Sequence, residues 1–204
     1  IHGDNTGLIL PPDVAPIQIV IVPIIFKGKE QIVLDACHDV AETLSDKGFR
    51  IHVDQRDINP GNKYYDWELK GVPLRIEIGP RDISNNQAVL VSRDTSEKAN
   101  VSRDELVQTI NVTLDEISQR LLKKAERLLE ENTHILTDFD EAKHYDGIIQ
   151  LPWCGTDHCA LEVEEILEGN TLGEPIEIDD SVSKEKCVMC GKQAKTWMRF
   201  AKTY

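Results

Sequence analysis

Two hundred and four residues with 40% apolar content allow one or two packed domains, and no apolar run approaches the ~20 residues of a membrane-spanning helix. The net charge of −13 argues against a protein that grips nucleic acid through a basic surface, and no signal-peptide pattern opens the chain, so a cytoplasmic setting is expected. The charge is uneven: Glu130 to Asp180 hold fifteen acidic residues against one basic, Lys143, a local −14, so the remainder sums to +1. Between Arg56 and Arg103, eight basic residues face seven acidic ones. Such a balance suits reading a few unstacked bases better than gripping phosphates at large.

Ile1 to Pro12 reads as a fragment, a Gly-Asp-Asn-Thr-Gly turn and a short apolar strand stopped by Pro11-Pro12. It has no partner surface of its own, which suggests a larger domain upstream. Pro16 to Arg103 has the rhythm of an α/β domain. Gln18 to Ile24 is nearly continuous in β-branched residues, the pattern of a strand covered on both faces. A helix is predicted from about Lys29 to Lys47, with Ile32, Val33, Ala36, Val40, Ala41 and Leu44 as its stripe and Gly48 closing it. Arg50 to Asp54 alternates as a second strand, and Pro60-Gly61 turns into a short helix over Lys63 to Lys70. Leu74 to Gly79 alternates apolar with charged residues, as a half-exposed strand does. The Gly79-Pro80 step bends that strand into a loop. Ala88 to Arg93 is a further strand, and Glu97 to Val101 adds an edge.

Ser102, with Glu105 three residues on, has the spacing of a capping box. The helix it opens is predicted to run to Asn132, with Leu106, Ile110, Leu114, Ile117, Leu121, Leu128 and Leu129 as its stripe, and its length suggests a bridge between two domains. Thr137 to Glu141 opens another capped helix, and Gly147 to Leu151 reads as a strand. Trp197, Phe200 and Tyr204 recur at helical spacing, so a terminal helix or turn is expected there. Cys37, beside the stripe of its helix, reads as a buried small hydrophobe.

The four other cysteines form two pairs, Cys154/Cys159 and Cys187/Cys190. Each pair spans a short loop, the reach needed to bring two thiolates to one tetrahedral ion at about 2.3 Å. A structural Zn²⁺ site with every position filled is the leading reading, and His158 is able to replace one thiolate. Two disulfides, a thioredoxin-like redox motif and unconnected buried cysteines compete with it. The first needs an oxidising compartment, and the second needs no second pair. A closed thiolate cage has no open position for catalysis, so the metal holds shape. With few apolar residues after Gln150, order there is expected to depend on the metal.

The phrases Ala15-Pro16-Ile17-Gln18-Ile19-Val20-Ile21-Val22-Pro23, Lys63 to Pro73, Glu77-Ile78-Gly79-Pro80-Arg81-Asp82, the two cysteine pairs and the terminal Tyr204 together resemble the C-terminal half of a prolyl-tRNA synthetase of the archaeal/eukaryotic type, a class II aminoacyl-tRNA synthetase. The resemblance runs from end to end. It implies an α/β fold with a mixed five-stranded sheet flanked by helices, followed by a small α+β zinc-stabilised domain. It divides the chain into residues 1–14, the tail of a catalytic domain; 15–133, an anticodon-binding domain with a long connecting helix; and 134–204, the zinc domain.

By that resemblance the partners are the anticodon loop of tRNA(Pro), the chain's own catalytic domain and a second copy in a homodimer; neither a membrane nor DNA is expected. ATP and Mg²⁺ belong to the catalytic part, which joins proline to the tRNA. Proline anticodons share two guanines, which call for carboxylates facing N1 and N2 and cations facing O6 and N7. Glu77, Arg81 and Asp82 are the candidates for base edges, Lys63 and Lys70 for phosphate, and Arg93 for either. Trp67 and Tyr64 offer stacking. Against these stand ordinary structural roles: Trp67 as core, Asp66 and Glu68 as solvated charges, Arg75 paired with a local carboxylate. The resemblance also turns the Tyr204 carboxylate toward the catalytic domain. A binding or dimerisation module that reads no tRNA is the runner-up, and a redox or metal-handling protein the third reading. No Walker-type loop, Ser/His/Asp set or framed carboxylate pair gives this stretch catalysis of its own.

Overall fold

The computed structural model describes residues 2–176 and 180–202, without the side chain of Asp180. The chain divides into two compact units, Ile1–Ala125 and Glu126–Tyr204, and the boundary falls near the end of a long helix.

The first unit opens with a small hairpin, β1 (Gly3–Asp4) and β2 (Gly7–Leu8). There follow β3 (Ile19–Pro23), α1 (Glu30–Ser45), β4 (Ile51–Val53), α2 (Pro60–Leu69), β5 (Leu74–Ile78), α3 (Pro80–Ser84), β6 (Gln87–Ser92), β7 (Lys98–Ser102) and α4 (Leu106–Glu131). The sheet runs in the order β4-β3-β5-β6-β7. β3 is parallel to β4 and β5, whereas β6 is antiparallel to β5 and β7, so the five-stranded sheet is mixed.

β3 is buried along its whole length because helices cover both faces. Ile19 and Ile21 join Leu74, Ile76, Ile78, Ala88 and Leu90 in a core closed by Val33, Ala36, Cys37, Val40 and Leu44 of α1 and by Leu106, Ile110, Leu114, Ile117 and Leu121 of α4. Val20 and Val22 point the other way, onto Trp67 of α2 and Val72. Each Leu or Ile removed from water this fully contributes about 1.5–3 kcal/mol.

Several expectations shift in register. Ile32 is 59% exposed, one position off a stripe that runs through Val33, Cys37, Val40 and Leu44. α2 begins at Pro60, with Asn59 accepting the Gly61 N–H at 2.8 Å, because proline's fixed φ suits a first helical position. The segment after Gly79 is a short helix, α3. Ser102 ends β7 opposite Gln87 and is no helix cap; α4 begins four residues later, so the capping box does not form. Leu129 is 49% exposed, so the buried stripe of α4 stops at Leu121. The alternating β5 is buried throughout, since α2 covers the face that carries Arg75 and Glu77.

The second unit contains β8 (Thr133–Ile135), α5 (Phe139–Ala142), β9 (Ile148–Trp153), α6 (Asp157–Leu167), β10 (Asn170–Gly173), a 3-10 turn (Asp180–Lys184) and β11 (Thr196–Ala201). Its sheet order is β10-β11-β9-β8, with only β8 and β9 parallel among the described strands. Leu136, Ala142, Ile149, Leu151, Val163, Leu167, Met198 and Phe200 form a core of their own, larger than the sparse apolar content promised. Trp197 and Phe200 lie on β11, not on a helix: Phe200 enters this core, while Trp197 packs with Val182 and Ala194. The Tyr204 expectation lies outside the described residues.

Candidate metal centre and candidate nucleic-acid interface

The four paired cysteines converge. Cys154 follows β9, Gly155 turns the chain at φ +83°, and Cys159 lies in the first turn of α6. The Trp153 indole donates to the Thr156 carbonyl at 2.9 Å and steadies this loop. Cys187 and Cys190 sit on a second turn, closed by Gly191 N–H to Cys187 O at 2.9 Å and Cys187 N–H to Lys192 O at 2.8 Å. Val188 N–H donates to Pro152 O, which docks one turn on the other. All four Sγ atoms fall within 4.8 Å of one another, and Cys154 Sγ to Cys159 Sγ is 3.7 Å. Thiolates about 2.3 Å from a tetrahedral ion stand about 3.8 Å apart, so the set fits a metal ion with four sulfur ligands.

The electrostatics agree. The Thr156 hydroxyl bonds Cys154 and brings its thiol down to about 6. At Cys159 the same hydroxyl also lowers, but burial and bonding to Cys154 and Cys190 prevail and push it up to about 12. One thiolate thus suppresses the next, a conflict that a divalent cation removes. Cys154, Cys159 and Cys187 are buried and Cys190 is exposed. His158 is outside the cluster; its ring is exposed and lies 3.7 Å from Glu162. Cys37 is fully buried, which pushes its thiol up to about 12.

In the first unit the charged face of β5 forms a network under α2. The register aligns Arg75, Val91 and Lys98 across β5, β6 and β7, so these side chains share a face. Arg75 holds Glu68 at 2.8 Å and Glu77 at 3.1 Å, and lies 3.9 Å over the Tyr64 ring. Lys98 reaches Glu77 at 3.3 Å. Burial and the Glu77 carboxylate push the Tyr64 phenol up to about 12, so the ring stays neutral. Beside this network is a cleft of about 120 Å³ bordered by Trp67, Glu68, Arg75, Ser92, Arg93 and Lys98. It is smaller than the ~300 Å³ at which ligand pockets usually begin, and suits the edge of a planar group.

The structure sorts the residues singled out in the sequence. Glu77 is 8% exposed and engaged with Arg75 and Lys98. Lys63 is 2% exposed, with its ammonium donating to the Asp54 carbonyl at 3.0 Å, so it is turned away from any phosphate outside. Trp67 is 6% exposed and its indole donates to Asp54 Oδ2 at 2.7 Å. Lys70 is exposed, its ammonium 4.2 Å from the Trp67 ring. Arg81 is exposed on α3, and Asp82 accepts the Gly79 N–H at 2.8 Å. Arg93 is buried, donating to Asp4 at 2.8 Å through both terminal nitrogens and to the Glu68 carbonyl.

The sequence reading passed over Glu68, Arg75 and Lys98 as cleft residues. The i, i+2 spacing of Arg75 and Glu77 put them on one face, but only strand register brings Lys98 beside them. Asp54 was also missed: it is fully buried, accepting from Arg56 and Trp67.

Residues 18–113 match the family described as Anticodon binding domain, and residues 136–204 match Prolyl-tRNA synthetase, C-terminal. Among curated proteins, the whole chain is similar to the proline–tRNA ligases of Thermococcus kodakarensis (48% identical over 210 residues), Methanosarcina mazei (45% over 206) and Pyrococcus abyssi (43% over 210). It covers 44%, 43% and 44% of them respectively, and so spans less than half the length of these relatives.

Proposed function

The chain belongs to the prolyl-tRNA synthetase family, in its anticodon-binding and C-terminal parts, and on that premise we propose that its first unit docks the anticodon loop of a proline tRNA while zinc braces its second. The observation that carries the reading is the cleft beside Arg75, where carboxylates and cations alternate within reach of a planar edge. Glu68, whose side chain is 34% exposed, faces guanine N1 and N2. Lys98, 56% exposed, faces O6 and N7, and Glu77 holds both cations in place. Tyr64 of α2 stacks on Arg75 and steadies it. Lys70 and Arg81 meet phosphate or further base edges, and Asp82 positions the turn that carries Arg81. Lys63 and Trp67 serve the site from inside, by fixing α2.

Zinc suits the second unit because four soft thiolates in a closed tetrahedral set favour it over harder cations. The longer protein adds a catalytic domain that uses ATP and Mg²⁺ to join proline to the tRNA, works as a homodimer in the cytoplasm, and receives the Tyr204 carboxylate. Residues 1–14 end that catalytic domain, 15–133 read the anticodon and 134–204 form the zinc domain. No membrane is involved; among the described residues no helix is long and apolar enough to cross one.

A gel shift tests the reading, with proline tRNA against a transcript changed at both anticodon guanines. The expected result is tighter binding of the unchanged tRNA. Equal affinity for the two refutes the anticodon assignment, and binding of neither favours a module that reads no tRNA.

A further inference from the structure

Arg93 lines the cleft, yet all three of its guanidinium nitrogens are engaged elsewhere. Both terminal nitrogens grip Asp4 at 2.8 Å, Nε donates to the Glu68 carbonyl at 3.1 Å, and the side chain is only 4% exposed. Asp4 is fixed in turn. Its Oδ1 accepts from Thr6 N–H at 2.8 Å, the Thr6 hydroxyl at 2.6 Å and Gly7 N–H at 3.1 Å. The hairpin packs closely against the domain. Gly7 has φ +143° and a Cβ there would come within 2.4 Å of Leu69 Cα; at Gly71, φ +73°, a Cβ would come within 2.6 Å of Leu8 Cβ. Leu10 N–H also donates to Gly71 O. A carboxylate 89 residues away in sequence is thereby placed as the counter-ion of Arg93 behind the cleft wall.

We propose that Asp4 is a positioning residue that sets the specificity of the RNA cleft by neutralising Arg93. An arginine on the wall without a counter-ion is a phosphate hook, strong and blind to sequence. With Arg93 held by Asp4, a nucleic acid entering the cleft meets Glu68, Arg75 and Lys98, whose arrangement tells one base edge from another. The proposal rests on the anticodon reading above.

The test uses the full chain and two RNA stem-loops, one with the proline anticodon and one with both guanines replaced. Affinity is followed by fluorescence anisotropy over a fourfold rise in salt. Asp4→Asn keeps the side-chain shape and frees the Arg93 charge. The variant should bind the guanine-free loop more tightly at low salt. That affinity should then fall about threefold more than the unmodified chain's across the salt range, the share of one added phosphate contact. The matched loop, already held in one pose, gains less, so the ratio of the two affinities narrows. Asp4→Asn/Arg93→Gln should restore the original salt dependence. A folded Asp4→Asn chain (by circular dichroism) with unchanged salt dependence and unchanged ratio overturns the proposal. So does an equal loss of affinity for both loops, the mark of a merely structural residue. If the unmodified chain does not favour the matched loop at all, the anticodon reading fails first and this inference with it.

Discussion

Replacing Asp54 by alanine probes what holds α2 beside the cleft. The Asp54 carboxylate is fully buried and accepts from Arg56 N, Nε and Nη2 at 3.1, 2.9 and 2.7 Å, and from the Trp67 indole at 2.7 Å. Alanine leaves a buried indole N–H without an acceptor, which costs about 1–3 kcal/mol. It also withdraws the carboxylate whose field favours the interior Lys63 ammonium, a group that burial already disfavours. Removing one partner from a buried charge arrangement costs about 3–5 kcal/mol in all. Arg56 adds little, because it is half exposed and keeps Asp66 at 2.7 Å. The sum is about 3–5 kcal/mol, which at ~4 °C per kcal/mol for a unit of this size lowers its melting temperature by about 12–20 °C. Asp54→Asn keeps an oxygen for the indole and loses the charge alone, so its effect should be smaller. Urea and thermal melts followed by tryptophan fluorescence measure both. A loss under about 1 kcal/mol for alanine, or equal losses for the two variants, refutes the reasoning.

Two further outcomes follow from the same geometry. At Asp54, burial raises the carboxyl pKa, but the hydrogen bonds from Arg56 and Trp67 outweigh it and hold the group well below the usual carboxylate range. The stability this brings is present above an unfolded value of about 4 and lost as the pH falls through the folded one. Below about pH 4 the unmodified chain should therefore lose melting temperature faster than Asp54→Ala, and parallel curves would contradict it. A chelator should strip one zinc ion per chain, measured by metal analysis, and hydrogen exchange should then rise first at Cys187–Gly191 and in the first turn of α6. The strands around Leu151 and Phe200 should loosen less, and β3 and α1 should keep their protection. Collapse of the α1–β3 core on chelation would refute separate support for the two units.

Much of the fold was legible because local pattern and burial coincide. Ile19 to Val22 are apolar because both faces of β3 are covered, and the i, i+3/i+4 stripes of α1 and α4 follow from one-sided burial. Where burial is two-sided or the turn is short, pattern misleads. Trp197 and Phe200 mimic part of a helical stripe because β11 packs Trp197 on one cluster and Phe200 on another. The three-residue β8 and five-residue α3 are too short to carry a period. Arg75 and Glu77 read as a solvent face because nothing in their spacing announces α2 above them.

The sequence by itself determined the two cysteine pairs: within each pair a short loop keeps two thiols close, and the fold then brings the second turn onto the first through Val188 N–H and Pro152 O. Only the tertiary structure decided the charged cluster at the cleft of the first unit. Its members come from the hairpin (Asp4), α2 (Glu68), β5 (Arg75), β6–β7 (Arg93) and β7 (Lys98), and a charge's role depends on which opposite charge lies against it. That is set by strand register and helix packing across as many as 89 residues. Lys63 shows the difference most simply: a lysine on an amphipathic helix reads as a hand for phosphate until the fold turns it inward onto a carbonyl.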